Sequence, residues 1–148
     1  MLTDIYNYLE LDDWIATSGQ PSEAQMAEIA VAGYQVMINL ALASSDNSLP
    51  DEAATVRAHG MQYIHIPVIW TQPTVNDLHA FFVAMQQHQG QKLFVHCAAN
   101  MRVSAFMALY RVKRLGWSRQ EAFKDMHRIW EPQGVWWEFI EQVLQMKD

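Results

Sequence analysis

The sequence predicts an α/β fold, in which a mostly parallel sheet of four to five strands is flanked by helices and followed by a helical C-terminal third. Three observations support this prediction. Short apolar runs alternate with longer segments in which apolar residues recur every three or four positions. Such alternation is typical of parallel sheets built from strand–helix–strand units. From Gly116 onward only the helical periodicity is found, and no repeat or low-complexity linker interrupts the chain.

The individual elements follow from this periodicity. The predicted strands are the apolar runs at residues 14–17, 34–40, 61–66 and 92–96. Amphipathic patterns between them predict helices at residues 22–32, 51–59 and 74–89. Gly33 and Gly60 end the first two, because glycine tolerates the left-handed conformation that follows a helix. Later helices are predicted at residues 103–115, 118–130 and 135–146.

Length and composition limit the classes of protein to consider. The 148 residues fit a single domain, residues 1–148, with one sizeable core. One cysteine and no charged-plus-apolar leader favour a reducing, cytoplasmic location. No run approaches the ~20 apolar residues of a membrane helix, so we expect no membrane partner. A net charge of −6 repels polyanions, so we expect no nucleic-acid partner. The histidines show no metal-ligand spacing, and neither a metal nor a cofactor is expected.

The segment most informative about function is KLFVHCAANMRVS, residues 92–104. An apolar strand ends at Cys97, and Arg102 follows five positions later at the opening of a predicted helix. Helix N-terminal N–H groups and a guanidinium favour a thiolate, and the same donors would bind a phosphate or similar oxyanion. We therefore predict that Cys97 is a nucleophile and Arg102 the anion-binding residue. The alternative is that Cys97 is a buried structural residue, as free cysteines often are.

From about residue 18 to the C terminus, the sequence resembles the dual-specificity branch of the protein tyrosine phosphatase superfamily. The resemblance is strongest to small bacterial phosphatase-like proteins related to the beta-lactamase-hydrolase-like family. Only the element from His96-Cys97 to Arg102 is specific. The other similar segments are SGQP at 18–21, VMINL at 36–40, IHIPV at 64–68, GWS at 116–118, EA at 121–122 and PQG at 132–134.

The resemblance implies a catalytic mechanism and a set of site residues. In that superfamily the cysteine attacks phosphorus, a phosphocysteine forms, and water hydrolyses it. The chain would then be a cysteine-dependent phosphatase acting on phosphotyrosine, an aryl phosphate or a small phosphoester, with a phosphorylated substrate or inorganic oxyanion as its ligand. Ser104 would assist the leaving thiolate. The implied substrate-binding residues are His96, Ala98, Ala99, Asn100, Met101 and Ser104.

The sequence departs from the family pattern at two points. Four residues separate Cys97 from Arg102, where the family has five, so one N–H donor is lost and the anion site is narrowed. The family also places an aspartate, as general acid, on the loop after the third predicted strand. Residues 67–73 contain no carboxylate, and Asp77 is the nearest candidate acid. Helix capping alone would account for a carboxylate there. Without an evident acid, substrates with good leaving groups are expected to react best.

Two other functions remain open from the sequence. The shortened loop could bind an oxyanion without turnover, which would make the chain a non-catalytic phosphatase-like module. Alternatively, the chain could be a rhodanese-type sulfurtransferase, since rhodanese loops often have four residues between cysteine and arginine. Against that class, the chain has no Asp-Val-Arg run after its early strand and no glycine in the loop.

Overall fold

The computed structural model of the chain describes residues 1–147 and has a five-stranded sheet at its centre. The strands are β1 (Leu9–Glu10), β2 (Ile15–Ser18), β3 (Val36–Asn39), β4 (Gln62–His65) and β5 (Leu93–His96). Their order is β1-β2-β5-β3-β4, and every neighbouring pair is parallel except β1 and β2. This confirms the predicted α/β fold with a mostly parallel sheet. The strand that leads into Cys97, β5, lies in the middle.

The sequence analysis did not predict β1. This strand has only two residues, too few to show an alternating pattern, and it pairs with β2 through Leu9 opposite Thr17. The Thr17 hydroxyl donates a hydrogen bond to the Leu9 carbonyl at 2.8 Å. A 3-10 turn at Leu2–Asp4 precedes β1.

Seven α-helices surround the sheet in the part of the chain that is described. They are α1 (Glu23–Val31), α2 (Glu52–Ala58), α3 (Val75–Gln87), α4 (Met101–Lys113), α5 (Arg119–Ala122), α6 (Lys124–His127) and α7 (Val135–Gln145). The helix predicted over residues 118–130 is instead two short helices. They meet at Phe123, whose φ of −93° and ψ of −2° depart from the values of a regular α-helix.

The helix that follows Cys97 begins two residues earlier than predicted. Asn100 precedes it with a left-handed φ of 64°, a conformation that asparagine adopts more readily than most residues. Helix α4 therefore starts at Met101 instead of Val103, which places Arg102 in its first turn. Residues 102–111 of this helix are all buried, because α3, α5, α6, α7 and the sheet surround it.

Apolar side chains cover both faces of the sheet, as a parallel sheet requires. On β5, Leu93 and Val95 pack into the larger core cluster together with α3, α4 and α7. Phe94 points to the opposite face and joins the smaller cluster, which contains residues of α1 and α2. The alternation along β5 thus fixes the strand between two packed layers. Within residues 1–147, no helix has the length and apolar character needed to cross a bilayer.

Candidate active site

The loop at residues 97–100 connects the carboxyl end of β5 to the first turn of α4. Its start is held by the neighbouring strands: the Cys97 amide donates to the Ser18 carbonyl at 3.3 Å, and the Leu40 amide donates to the His96 carbonyl at 2.9 Å. Cys97 therefore lies at the edge of the sheet where α/β folds bind ligands.

Polar groups from three distant segments hold the carbonyls of this loop. The Ala98 carbonyl accepts hydrogen bonds from the Gln20 amide at 3.1 Å and from Asn47 Nδ2 at 3.2 Å. The Ala99 carbonyl accepts one from Asn7 Nδ2 at 3.0 Å. The approach is close enough that a Cβ on Gly19 would lie 2.8 Å from the Ala98 oxygen, so a glycine is needed there. These contacts fix the orientation of the loop peptides.

The same contacts determine where the loop amides point. In a trans peptide the C=O and N–H groups point in opposite directions. The loop carbonyls are bonded to the protein, so the following N–H groups face away from those partners. Among residues 1–147, no acceptor lies within hydrogen-bond distance of the amides of Ala98, Ala99, Met101 and Arg102. Four N–H groups at a loop and helix N-terminus form a site suited to an oxyanion.

A cavity of about 210 Å³ lies against this loop. Cys97 is only 1% exposed, so a reacting group must enter the cavity to reach its sulfur. A larger groove, of about 650 Å³, lies along α5, α6 and α7, but neither Cys97 nor Arg102 lines it. The smaller cavity is lined by Trp70, Cys97, Ala98, Ala99, Met101 and Arg102.

Arg102 supplies a positive charge to the cavity. It is 6% exposed, and its Nη1 donates to the Val68 carbonyl at 2.8 Å. Val68 is itself held by a hydrogen bond from its amide to the Leu40 carbonyl at 2.9 Å. No carboxylate in residues 1–147 forms an ion pair with Arg102. Burying a guanidinium without an anionic partner costs free energy, so the position of Arg102 favours binding of an anionic ligand.

Trp70 forms the apolar wall of the cavity, whereas the loop amides form its polar part. It is 42% exposed, and its ring lies 5.4 Å from that of Trp130 and 5.5 Å from that of Trp136, measured between centroids. The Trp136 Nε1 donates to the Trp70 carbonyl at 2.8 Å, which fixes the segment that carries Trp70. Sequence reasoning missed this residue. Its only signal was its position on the loop where a general acid was sought.

Behind the loop, His96 forms a buried pair with Glu52. The His96 Nε2 lies 2.7 Å from Glu52 Oε2, and its Nδ1 lies 3.2 Å from the Cys97 carbonyl oxygen. Burial opposes ionisation of Glu52, but hydrogen bonds from His96, Gln20 and Tyr63 and the charge of His96 outweigh it and lower its pKa. The ionised Glu52 therefore stabilises the folded state at pH values above the ordinary carboxyl pKa. This stabilisation is lost as the pH falls through the lowered pKa of Glu52. No signal in the sequence pointed to Glu52.

Asn100 and Ser104 are predicted substrate-binding residues whose side chains form hydrogen bonds that support the loop. Asn100 Nδ2 donates to the Asn7 carbonyl at 2.9 Å and to Thr17 Oγ1 at 3.0 Å. The Ser104 hydroxyl donates to the Met101 carbonyl at 2.9 Å and accepts a hydrogen bond from the Trp130 indole at 3.0 Å. Like His96, neither lines the cavity. Direct contact of these three residues with a substrate stays a prediction.

Asp77 lies outside the group of residues that line the cavity. It is the third residue of α3, as expected, and its amide donates to the hydroxyl of the N-cap residue Thr74 at 3.0 Å. The structure thus brings together Cys97, Ala98, Ala99, Met101 and Arg102 but does not bring Asp77 to them. Residues 1–147 contain no group of three or more His, Cys, Asp or Glu side chains that could hold a metal ion.

A strand-to-helix loop that carries a cysteine and a buried arginine, on a mostly parallel sheet, is the arrangement expected of a phosphatase of the dual-specificity class. The chain belongs to that class: it is a member of the family described as the DSP-PTPase phosphatase fused to NAD+ kinase, whose model matches residues 7–134. The predicted membership of the dual-specificity phosphatase group is confirmed.

Individual relatives agree with this assignment. A putative phosphatase (DUF442) from Shewanella putrefaciens CN-32 is 36% identical, with a TM-score of 0.85 over 96% of this chain and 93% of that chain. A beta-lactamase hydrolase-like protein from Xylella fastidiosa (strain Temecula1) is 33% identical over 70% of this chain, but the chain spans only 25% of that protein. The crystal structure of PTPMT1 in complex with PI(5)P shares the fold, with a TM-score of 0.77 over 92% of this chain and 93% of that chain at 16% identity.

Proposed function

We propose that the chain is a cysteine-dependent phosphatase that hydrolyses aryl phosphates such as phosphotyrosine, or small phosphoesters, through a phosphocysteine intermediate. One observation carries this proposal: the buried guanidinium of Arg102 has no carboxylate partner in the described residues and lines the same cavity as the Cys97 thiol. PTPMT1, which shares the fold, has the phosphorylated lipid PI(5)P bound in its crystal structure, and this supports a phosphorylated substrate.

The geometry supports a two-step reaction. The amides of Ala98, Ala99, Met101 and Arg102 and the Arg102 guanidinium would bind the oxygens of the phosphoryl group. The Cys97 thiolate then attacks phosphorus, an S–P bond forms, and the P–O bond to the leaving group breaks. In the second step water attacks phosphorus and the S–P bond breaks, which releases phosphate and restores the thiolate. The N–H groups stabilise the negative charge on the phosphoryl oxygens during both steps.

The cavity wall favours aromatic leaving groups. Among residues 1–147 no carboxylate lines the cavity, so none of them can protonate the leaving oxygen there. Phenolate-type leaving groups need such help least, because they carry negative charge more readily than alkoxides. The indole of Trp70, held by Trp130 and Trp136, presents an apolar surface against which an aromatic ring can pack.

Turnover and anion binding test this proposal together. The protein should hydrolyse para-nitrophenyl phosphate, and millimolar vanadate or sulfate should slow iodoacetamide labelling of Cys97 at pH 6 and raise the melting temperature. If neither anion changes labelling or melting, the proposed anion site does not exist. Protection without turnover would favour the oxyanion-binding module, which the four-residue loop supports. The matched family gives no support to a sulfurtransferase; transfer of sulfur from thiosulfate to cyanide would revive that class.

The role of Asp77 has its own test. Because Asp77 lies at the start of α3 and does not line the cavity, Asp77→Asn should reduce kcat for aryl phosphates by less than ~100-fold, the low end of general-acid contributions. Glu23→Gln is the matched control, since Glu23 lies in the first turn of another helix. A loss of 100-fold or more, confined to substrates with poor leaving groups and with melting unchanged, would make Asp77 the general acid.

A further inference from the structure

Glu52 is a buried carboxylate that the reaction described above does not use. It is the first residue of α2 and is 7% exposed. Its Oε2 lies 2.7 Å from His96 Nε2, and its Oε1 accepts a hydrogen bond from Gln20 Nε2 at 2.8 Å. The titratable groups that face it are His96 from β5 and Tyr63 from β4.

The contacts of His96 determine the orientation of its ring. Nε2 lies 2.7 Å from a carboxylate oxygen of Glu52, and Nδ1 lies 3.2 Å from the carbonyl oxygen of Cys97. The contact with Glu52 is the shorter of the two, so this carboxylate orients the ring toward the Cys97 peptide. The His96 side chain is fully buried, and Glu52 is the carboxylate that pairs with it.

The neighbours of Glu52 keep it ionised. Two side chains contact the carboxylate at hydrogen-bond distance: His96 through Nε2 at 2.7 Å and Gln20 through Nε2 at 2.8 Å. Together with Tyr63 they lower the pKa of Glu52 in spite of its burial. Burial, with a smaller contribution from the charge of Glu52, raises the pKa of Tyr63 to about 12, so the phenol stays a donor. Its oxygen also accepts a hydrogen bond from Asn39 Nδ2 at 3.0 Å.

Glu52 reaches the Cys97 loop by two routes. Through His96 it holds the Cys97 carbonyl, and the Ala98 N–H must then point the opposite way. Glu52 also holds the Gln20 side chain, and the backbone amide of Gln20 donates to the Ala98 carbonyl. The Ala99 N–H, which belongs to the same peptide, must then point away from Gln20. Both peptides thus depend on one carboxylate.

We propose that Glu52 is a positioning residue for the reaction of Cys97: it holds the His96 ring and Gln20, and through them it turns the N–H groups of Ala98 and Ala99 away from the protein interior and toward the bound phosphoryl group. N–H groups turned in this way also favour the thiolate of Cys97. This inference rests on the proposed function.

Glu52→Gln tests the proposal, because it removes the charge and keeps the size of the side chain. The variant should lose about 10-fold or more in kcat for para-nitrophenyl phosphate. Glu52 orients His96 as a carboxylate orients a metal-bound histidine in other proteins, where removing the carboxylate causes a loss of about this size. Half-maximal iodoacetamide labelling of Cys97 should move to higher pH, which a purely structural role would not produce. In a His96→Gln background, Glu52→Gln should cause a smaller loss in kcat than it does alone, because the route through His96 is already broken and only the route through Gln20 is left.

Two further variants complete the experiment. Glu141→Gln is the matched control: it removes another ion-paired glutamate, that of the Arg119–Glu141 pair between α5 and α7, and should change neither kcat nor the labelling profile. If Glu52→Gln does not fold, Tyr63→Phe removes one of the groups that lower the pKa of Glu52 and should shift the labelling profile in the same direction.

The two proposals fail in different ways. If Glu52→Gln folds and both its kcat and its labelling profile match those of the wild type, the positioning role is wrong. If the wild-type protein hydrolyses no aryl phosphate, the proposed function is wrong, and the labelling profile still decides whether Glu52 acts on Cys97.

Discussion

Cys97→Ser should abolish the hydrolysis of aryl phosphates, with a loss of up to about 10⁶-fold in kcat, as for removal of a nucleophile elsewhere. The serine hydroxyl stays protonated at neutral pH, so the variant cannot attack phosphorus at a comparable rate. The substitution is close to isosteric, and the site is held mainly by backbone contacts of Cys97 with Ser18 and His96. The measurement is initial-rate hydrolysis of para-nitrophenyl phosphate.

The control for this variant is its response to sulfate. The loop amides and Arg102 are unchanged in Cys97→Ser, so sulfate should still raise its melting temperature. Retention of more than about one hundredth of the wild-type rate would contradict the assignment, because removing the nucleophile costs far more than that.

Arg102→Lys should remove the response to anions and lower kcat by about 10²- to 10³-fold, the loss associated with one donor to a developing oxyanion. A lysine ammonium cannot reproduce the two parallel hydrogen bonds of a guanidinium fork. Sulfate should then fail to raise the melting temperature or to protect Cys97 from iodoacetamide. Arg102→Lys should thus lose turnover and the anion response together, whereas Cys97→Ser loses turnover and keeps the anion response.

Arg111→Lys is the matched control for Arg102→Lys. Arg111 lies on the same helix and is equally buried, at 6% exposed, but its Nη1 is paired with Asp125 at 2.7 Å. Its replacement should lower stability and leave the sulfate response intact. If Arg102→Lys still shows the full melting shift with sulfate, the anion does not bind at Arg102.

The parts of the site that could be predicted are those that the chain brings together locally. Cys97 and Arg102 lie five positions apart, so a strand followed by a helix was enough to place them in one loop. The start of α4 was predicted two residues too late, because the sequence alone does not show that Asn100 adopts a left-handed φ. The break at Phe123 was not predicted, because the apolar periodicity continues through it.

The supports of the loop could not be predicted, because they come from far along the chain. Glu52 precedes His96 by 44 residues, and Asn47 precedes Ala98 by 51. Each is a polar residue of a type common on surfaces, and only the sheet order brings it to the loop. In the sequence, Trp70 is only a member of a loop without an acid, because its place in the cavity wall depends on packing against the distant rings of Trp130 and Trp136.

The sheet order also has a consequence for how the protein folds. The central strand β5 is the last strand in the chain, and its loop is held by Asn7 across a separation of 92 residues. Closing a loop of this length costs entropy, so contacts of this range slow folding. Residues far apart in the sequence hold the loop, so we expect hydrolysis of aryl phosphates to return during refolding only after β5 has paired with β2 and β3 and the first segment has joined the loop.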